Sequence, residues 1–376
     1  MKFGLMKYSY TTNLGNEIQS IASRQFLPTI DCYIDHEKLN LFECSQKVKL
    51  IMNGWYLDCP KSWPPSQDID PLLISMHFSS TRNDTIEVIT TKESRDYFSS
   101  HDPIGCRDLS TLNLLNELDI DAYYSGDLTL TLKSENKTND NKYIVVNSHI
   151  SSEIVEFLKT KTDIPIYEIY QESIKSFDLD YLENKNHRLT SFYDYEEKFF
   201  LAESILRLYE NAYCVITDRV HCVMPCLAFK TPVLFFDDAK FAPERLEGLE
   251  KLVLKSNFDE YKENYSIFDV ENPPKNPNDY MKLRKDLIHK TKKFTGHYAD
   301  CYDSGYSKDY IINKQMELLT KTALETRQYM GSVIKISKKK NSQLKKKNSE
   351  LSKLKKMNKE KPKEKSKSNL RNLFHI

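Results

Sequence analysis

The sequence of 376 residues has little glycine and no long apolar run. It contains nine glycines and eight cysteines, and its mean hydropathy is −0.60. No apolar run reaches the roughly 18–20 residues that a membrane-spanning helix needs, so a soluble protein is expected. The cysteines include no CxxC pair and no zinc-type spacing, which predicts reduced thiols. Residues 1–8 become polar too early for a signal peptide, and we therefore expect a cytoplasmic protein.

The formal net charge of +1 hides an uneven distribution along the chain. Residues 331–376 carry 16 Lys or Arg against 3 Asp or Glu, so the other 330 residues carry a net charge of −12. A Lys-rich segment with few apolar residues cannot bury a core. We interpret it as a basic low-complexity tail. It is either merely solvated or a contact for a polyanion such as nucleic acid or for an anionic membrane surface.

The most informative stretch is 213–236, YCVITDRVHCVMPCLAFKTPVLFF. Apolar and β-branched residues at both ends predict buried strands, and 219–229 between them has the length and apolar face of a helix. A strand, a helix and a strand in so short a space predict a βαβ unit of a parallel sheet. Ligands of such sheets bind where a strand ends and a helix begins. Asp218, Arg219 and His221 lie at that junction and form the candidate reacting centre.

His221 and Asp218 are the candidate catalytic residues. A histidine that titrates near neutral pH can act as a general acid or base. The N–H groups of a helix start, together with Arg219, favour a bound anion. The alternative for His221 is an inert, hydrogen-bonded histidine near the start of a buried helix. Asp218 either orients His221 or caps that helix.

Strands and helices alternate along the rest of the chain, with a polar, turn-rich break at 134–141. Strands are predicted at 2–8, 48–54, 72–77, 103–106, 120–124, 143–147 and 165–170. Helices are predicted at 16–26, 110–118, 151–161, 196–211, 279–295 and 315–329, the helix at 279–295 packing back across the first half. The pattern predicts an α/β fold of two Rossmann-like domains, 1–138 and 139–330, followed by the tail 331–376.

The first loop and a Trp-containing loop supply further candidates. Asn13, Gly15 and Asn16 follow the first strand, where Asn16 either caps the next helix or the loop presents backbone N–H groups to a ligand. Trp55 and Trp63 flank a Pro-interrupted loop after a strand. They either stack on a sugar ring or anchor the loop.

Two basic residues follow other strands of the first half. His77 ends a predicted strand beside a cluster of hydroxyl side chains, at the ligand-binding edge of a parallel sheet. Arg107 is either paired with Asp108 or binds an anion, because its planar guanidinium matches carboxylate or phosphate oxygens.

These motifs, in this order, resemble the polysaccharide pyruvyl transferase family. The matching stretches are NLGNEIQSIA (13–22), NGWYL with WPP (53–65), PLLISMHF (71–78), IGCRDLSTLNLL (104–115), SGDLTLTL (125–132) and VITDRVHCVMPCLAFKTPVLFF (215–236). The resemblance implies two Rossmann-like domains that face each other across a cleft, an architecture called GT-B-like. It adds Asn53 and Asp127 to the candidate substrate-binding residues.

The resemblance also implies an activity. Family members transfer the enolpyruvyl group of phosphoenolpyruvate onto two hydroxyls of one sugar, forming a cyclic ketal and releasing phosphate. The expected partners are phosphoenolpyruvate and a saccharide acceptor, with no cofactor and no metal. His221 matches the catalytic histidine, and Arg219 and Arg107 match basic positions near the donor. The chain departs from the pattern at Asn16, where Asp is common, and at Cys222, where Gly is common and the larger side chain is expected to limit ligand approach.

Two other functions are also compatible with the sequence. One is a GT-B-type glycosyltransferase with a nucleotide-sugar donor, which would need a carboxylate for the ribose hydroxyls in the second domain. The other is a non-catalytic scaffold that works through the basic tail. It predicts a salt-dependent interaction with polyanions and no turnover.

Overall fold

The computed structural model describes residues 1–9, 11–57, 60–134, 142–171, 195–237, 243–299 and 335–349. The helix predicted at 315–329 and the predicted domain boundary after residue 138 lie outside the described residues. Within them, the chain forms two parallel β-sheets with helices between and around them, which confirms the predicted α/β class.

The first sheet is formed by the first third of the chain. Its strands are β1 (Lys2–Lys7), β2 (Cys32–Asp35), β3 (Val48–Tyr56), β4 (Ile69–Phe78), β5 (Ile104–Cys106) and β6 (Ala122–Tyr124). Its helices are α1 (Gly15–Arg24), α2 (Asn83–Ile89), α3 (Lys92–Ser99) and α4 (Leu109–Glu117). The strand order is β2-β1-β3-β4-β5-β6, with all neighbours parallel.

The second sheet follows residue 142. Its strands are β7 (Ile144–Asn147), β8 (Ile166–Glu168), β9 (Cys214–Thr217), β10 (Val233–Phe236) and β11 (Leu254–Ser256). Its helices are α5 (Ser151–Leu158), α6 (Tyr195–Asn211), α7 (Val220–Phe229), α8 (Phe258–Glu263) and α9 (Tyr280–Thr295). The order β11-β10-β9-β7-β8 is again all parallel.

The predicted βαβ unit is confirmed. Strands β9 and β10 pair in parallel, with Val215 opposite Val233, and α7 connects them. The carboxyl end of β9 therefore delivers residues 218–221 to the edge of the second sheet. The first turn of α7 is irregular, because His221 has φ −82° and ψ 21°.

The interpretation of Asn16 as the N-cap of α1 is wrong. The helix begins at Gly15, its N-cap position is Leu14, and no side chain caps it. Asn16 lies inside the first turn, where its Oδ1 accepts a long 3.4 Å bond from Gln19. Asn13 makes the local contact instead, because its Oδ1 accepts a hydrogen bond from the Gly15 backbone N–H at 2.9 Å.

A continuous hydrophobic cluster joins the two sheets. It includes Leu5, Ile51 and Ile74 from the first sheet and buried side chains of α1, α6, α7 and the second sheet. Helix α9 also packs back onto the first half, as predicted, and Arg284 donates a hydrogen bond to the Leu132 carbonyl at 3.0 Å.

Residues 335–349 form a Lys-rich helix whose side chains are nearly all exposed. No helix in the described parts of the chain is long and apolar enough to cross a membrane.

Candidate functional site

His221 lies beside a carboxylate from the first half of the chain. Its side chain is 12% exposed, and its Nε2 lies 3.5 Å from Oδ2 of Asp127, the residue that follows β6 and Gly126. Asp127 is fixed by the next short turn, because the Thr129 backbone N–H donates to its Oδ1 at 2.8 Å. His221 Nε2 and Asp127 Oδ2 are both buried, and neither forms a hydrogen bond within the described residues.

The protonation states of this pair follow from burial and nearby charge. Burial acts to raise the pKa of Asp127, but the contact with His221, the charge of Arg107 and the Thr129 hydroxyl outweigh it and hold that pKa at about 2. Burial lowers the pKa of His221, and Arg107 and Arg245 act in the same direction against Asp127. At neutral pH, Asp127 is therefore ionised and His221 is neutral. The carboxylate favours a proton on Nε2, which leaves Nδ1 as the basic nitrogen.

The Gly15 loop covers the Nδ1 side of His221. A Cβ atom at Gly15 would lie 2.6 Å from His221 Nδ1 and 2.6 Å from Gln171 Nε2, so glycine is the residue that fits. The loop is tied to the second half by a 3.1 Å hydrogen bond from the Leu14 N–H to the Gln171 carbonyl. The Nδ1 side of His221 therefore faces the first Gly loop.

Three arginines lie close enough to influence one another near His221. Burial, followed by the charges of Arg107 and Arg219, lowers the pKa of Arg245 to about 10, so Arg245 remains a cation at neutral pH. The Arg107 side chain is 3% exposed, and its Nε, 3.6 Å from Asp108 Oδ2, forms no hydrogen bond with any described residue. Clustered guanidinium groups of this kind suit a ligand that carries carboxylate or phosphate oxygens.

His77 forms a second buried histidine–carboxylate pair. Its Nδ1 lies 2.7 Å from Oδ2 of Asp108, and both side chains are fully buried. Burial, together with Arg107, lowers the pKa of His77. Asp108 also caps α4 by accepting a hydrogen bond from the Thr111 N–H. Trp55 packs edge-on against His77 at 5.0 Å between ring centres, so it remains beside the polar edge of the sheet.

Asp218 has partners other than His221. Its Oδ2 accepts hydrogen bonds from the Ser148 hydroxyl and the His149 backbone N–H, both at 2.9 Å, and from His149 Nδ1. Its Oδ1 lies 3.3 Å from Arg219 Nε. The N-cap position of α7 is Arg219, without a side-chain cap. Asp218 therefore neither caps the helix nor provides the carboxylate next to His221.

Two residues that the sequence suggested as ligand contacts are buried and stabilise the fold instead. Asn53 is 3% exposed, donates to the Gln19 carbonyl and accepts from the Ser23 hydroxyl, so both ends of its amide hold α1. Trp63 is buried among Phe78, Phe98 and other aromatic rings and anchors its loop.

Cys222 corrects another expectation. Its side chain is fully buried in the core cluster, where it lies against Tyr209. The larger side chain therefore occupies the interior rather than limiting the approach of a ligand to the backbone.

His149 and Arg245 join the site although the sequence interpretation did not single them out. His149 had a usable signal, because it lies two residues after β7, at the edge of the sheet that carries Asp218. Arg245 had none, because it belongs to a short 3₁₀ turn in an irregular stretch. In the described part of the chain, no cluster of three or more His, Cys, Asp or Glu side chains is placed to hold a metal ion.

Comparison with known proteins gives one family match. The family model "Polysaccharide pyruvyl transferase" matches residues 13–239, and this range contains every predicted site residue. Among curated proteins, none matches.

Solved structures give distant matches. A functionally uncharacterized protein from Klebsiella pneumoniae shares 15% identity over 65% of this chain and 86% of its own, with a TM-score of 0.39. The UDP-GlcNAc 2-epimerase of Methanocaldococcus jannaschii shares 15% sequence identity over 78% of this chain and 100% of its own, with a TM-score of 0.40. The wall teichoic acid polymerase TagF shares 13% sequence identity over 84% of this chain and 89% of its own, with a TM-score of 0.33.

Proposed function

Because the chain belongs to the polysaccharide pyruvyl transferase family, we propose that it transfers the enolpyruvyl group of phosphoenolpyruvate onto two hydroxyls of a sugar in a glycan or glycan precursor. The products are a cyclic pyruvate ketal and phosphate. The observation that carries the proposal is the position of His221, enclosed between the Asp127 carboxylate and the Gly15 loop, close to arginines.

The arginines suit the donor. Phosphoenolpyruvate carries a carboxylate and a phosphate, and both groups bind guanidinium well. We assign Arg107 and Arg219 to donor binding and add Arg245, since the three cations repel one another until an anion lies between them. Their charge also stabilises the electron pair that leaves with phosphate.

His221 is the proposed general base. A neutral imidazole with Nε2 directed to Asp127 presents a basic Nδ1, which can take the proton of an attacking hydroxyl. We therefore assign the orienting role to Asp127 in place of Asp218. Trp55, at the edge of the first sheet, is the proposed contact of the saccharide acceptor, and the fully buried His77 supports its ring from the protein side.

At the level of the fold, we propose two Rossmann-like domains facing across a GT-B-like cleft. The two all-parallel sheets support this arrangement, as does a site that combines Gly15, Arg107 and Asp127 from one half with His221 from the other. We further propose a cytoplasmic protein whose basic tail contacts an anionic membrane surface or another polyanion. The exposed Lys-rich helix at 335–349 supports this contact.

The test is turnover of phosphoenolpyruvate with a panel of sugar acceptors, followed by phosphate release and by mass spectrometry for the ketal. We expect His221→Ala to lower kcat by roughly 10²- to 10⁴-fold, the usual contribution of general acid–base catalysis. The matched control is His289→Ala, on the exposed face of α9, which should turn over like the wild type.

A thermal-shift comparison separates the donors. Phosphoenolpyruvate should raise the unfolding temperature and nucleotide sugars should not, because a ligand stabilises the state that binds it. Stabilisation by a nucleotide sugar, with no ketal formed from any acceptor, would replace the proposal by the glycosyltransferase alternative.

A further inference from the structure

A third histidine–carboxylate pair, His149 with Asp218, lies partly exposed at the edge of the second sheet that carries His221. The Asp218 side chain is 2% exposed and binds His149 through both the backbone N–H and Nδ1. The imidazole of His149, in contrast, is 45% exposed. Since Nδ1 donates to the carboxylate, Nε2 is the basic nitrogen that is available for proton transfer.

The strand register places this pair beside the proposed reacting centre. Strands β7 and β9 are neighbours, and Asn147 lies opposite Thr217 at their carboxyl ends. His149 and Asp218 therefore leave the sheet at the edge from which Arg219 and His221 also emerge. Asp218 contacts both His149 and Arg219, because its Oδ2 accepts from His149 Nδ1 and its Oδ1 lies 3.3 Å from Arg219 Nε.

The chemistry of ketal formation asks for two proton acceptors. When the first hydroxyl oxygen bonds to C2 of phosphoenolpyruvate, that hydroxyl loses its proton and C3 gains one and becomes a methyl group. When the second hydroxyl oxygen bonds to C2, it also loses its proton, and the C2–O bond to phosphate breaks with its electron pair on phosphate. Two hydroxyl protons are removed and one is returned to carbon, so the second must leave with solvent or phosphate.

We propose that His149, oriented by Asp218, is the base that takes the proton of the second hydroxyl; this assignment rests on the proposed pyruvyl transfer. His221, enclosed at 12% exposure, takes the proton of the first hydroxyl and keeps it until C3 receives it. His149, which is exposed to nearly half of its surface, passes the second proton to water. Asp218 is thus a positioning residue, and His149 is a second catalytic residue.

The experiment compares His149→Ala with His221→Ala in the full-length protein. In reactions quenched with acid-free organic solvent, His149→Ala should accumulate an acceptor adduct that still carries phosphate, whereas His221→Ala should leave the acceptor unreacted. We expect kcat for the ketal to fall roughly 10²- to 10⁴-fold in His149→Ala, with little change in KM for phosphoenolpyruvate. Added imidazole should restore part of this kcat, because the position is open to solvent.

The possible results distinguish a failure of the His149 assignment from a failure of the proposed pyruvyl transfer. His289→Ala should show neither the adduct nor a response to imidazole. If the wild type forms the ketal and His149→Ala retains its kcat, or loses activity without adduct and without rescue, the role of His149 is refuted while pyruvyl transfer stands. If the wild type forms no ketal with any acceptor, pyruvyl transfer fails, and the assignment of His149 fails with it.

Discussion

At the scale of single residues, His221 is restricted by two neighbours that act differently. Asp127 is a charge that selects the tautomer, and Gly15 is a missing side chain that leaves room for the ring. The protein thus keeps His221 neutral by burial and still directs its proton toward Asp127. Such an imidazole can accept a proton at pH 7 without first having to lose one.

Asp127→Asn tests the orienting role. The asparagine Oδ1 can still accept from the Thr129 N–H, but the ionised carboxylate that the folded state favours is lost, so we expect the unfolding midpoint to fall modestly at neutral pH. Its NH₂ group, however, donates toward Nε2 and favours the wrong tautomer of His221. By analogy with other carboxylate–histidine pairs, kcat should fall by up to roughly 10⁴-fold.

Steady-state kinetics and urea unfolding of this variant measure the two effects separately. Asp163→Asn, at an exposed position, serves as the matched control. Wild-type kcat in Asp127→Asn would show that His221 does not depend on this carboxylate.

The sequence singles out His221, Arg219 and Arg107 because their chemistry and their place after a strand coincide. It could not predict that both ends of the Asn53 amide form hydrogen bonds with α1, because contacts to a neighbouring helix leave no local sequence pattern. Nor could it pair His221 with Asp127 rather than with the adjacent Asp218. That pairing depends on how residues 94 positions apart meet in the fold.

At the scale of elements, α1 is fastened to α6 by buried ion pairs. Lys198 Nζ lies 2.9 Å from Glu17 Oε1, with both side chains 1% exposed, and it also donates to the Tyr8 carbonyl at 2.5 Å. Arg24 and Glu203 form a second contact at 2.5 Å. These contacts hold the helix that begins at Gly15, and therefore the loop against His221.

Lys198→Met should destabilise the fold in a pH-dependent way. It leaves the Glu17 carboxylate buried without its cation, which costs about 3–5 kcal/mol at pH 7. Burial already raises the pKa of Glu17 to about 6, above its unfolded value, so the folded state binds the proton more tightly than the unfolded state. The loss should therefore shrink as the pH falls from 7 through 6 toward 5.

Urea unfolding at pH 7 and pH 5 measures this difference. Lys92→Met removes the exposed Lys92–Asp96 pair and should cause no measurable change at either pH. Equal destabilisation at both pH values would rule out an ionised Glu17 as the cause.

Elements with a long apolar pattern were predicted well, above all β9, α7 and β10. The missed strands β2 and β11 are short edge strands with one partner each, so they show little periodicity. The missed helices α2, α3 and α8 are six to eight residues long and mostly polar, and their apolar residues become evident only in the packed structure.

At the scale of the whole molecule, charge is divided between an acidic body and a basic end. The helix at 335–349 contains seven lysines and no acidic residue, and it is exposed. Each lysine near an anionic surface contributes on the order of 1 kcal/mol at physiological ionic strength.

Replacing six lysines of this helix with glutamine should weaken binding to vesicles that contain phosphatidylserine. The substituted residues are Lys338, Lys339, Lys340, Lys345, Lys346 and Lys347. Wild-type binding should weaken as salt rises, because screening shortens the range of the attraction. Cosedimentation with anionic and with neutral vesicles is the measurement.

The control replaces six exposed lysines elsewhere, which are Lys92, Lys251, Lys255, Lys262, Lys282 and Lys285. It should bind like the wild type, and both variants should process a soluble acceptor normally. Binding that is as strong in the tail variant as in the wild type, or that does not weaken as salt rises, would contradict the proposed contact.

The hydrophobic cluster that joins both sheets has a consequence for any attempt to divide the chain. Cutting within 135–141 would leave each fragment with an uncovered apolar surface formed by α1 on one side and by α6 and α7 on the other. We expect such fragments to be insoluble when produced alone and to reassemble when produced together. The same surface would then act as the recognition interface of a split enzyme.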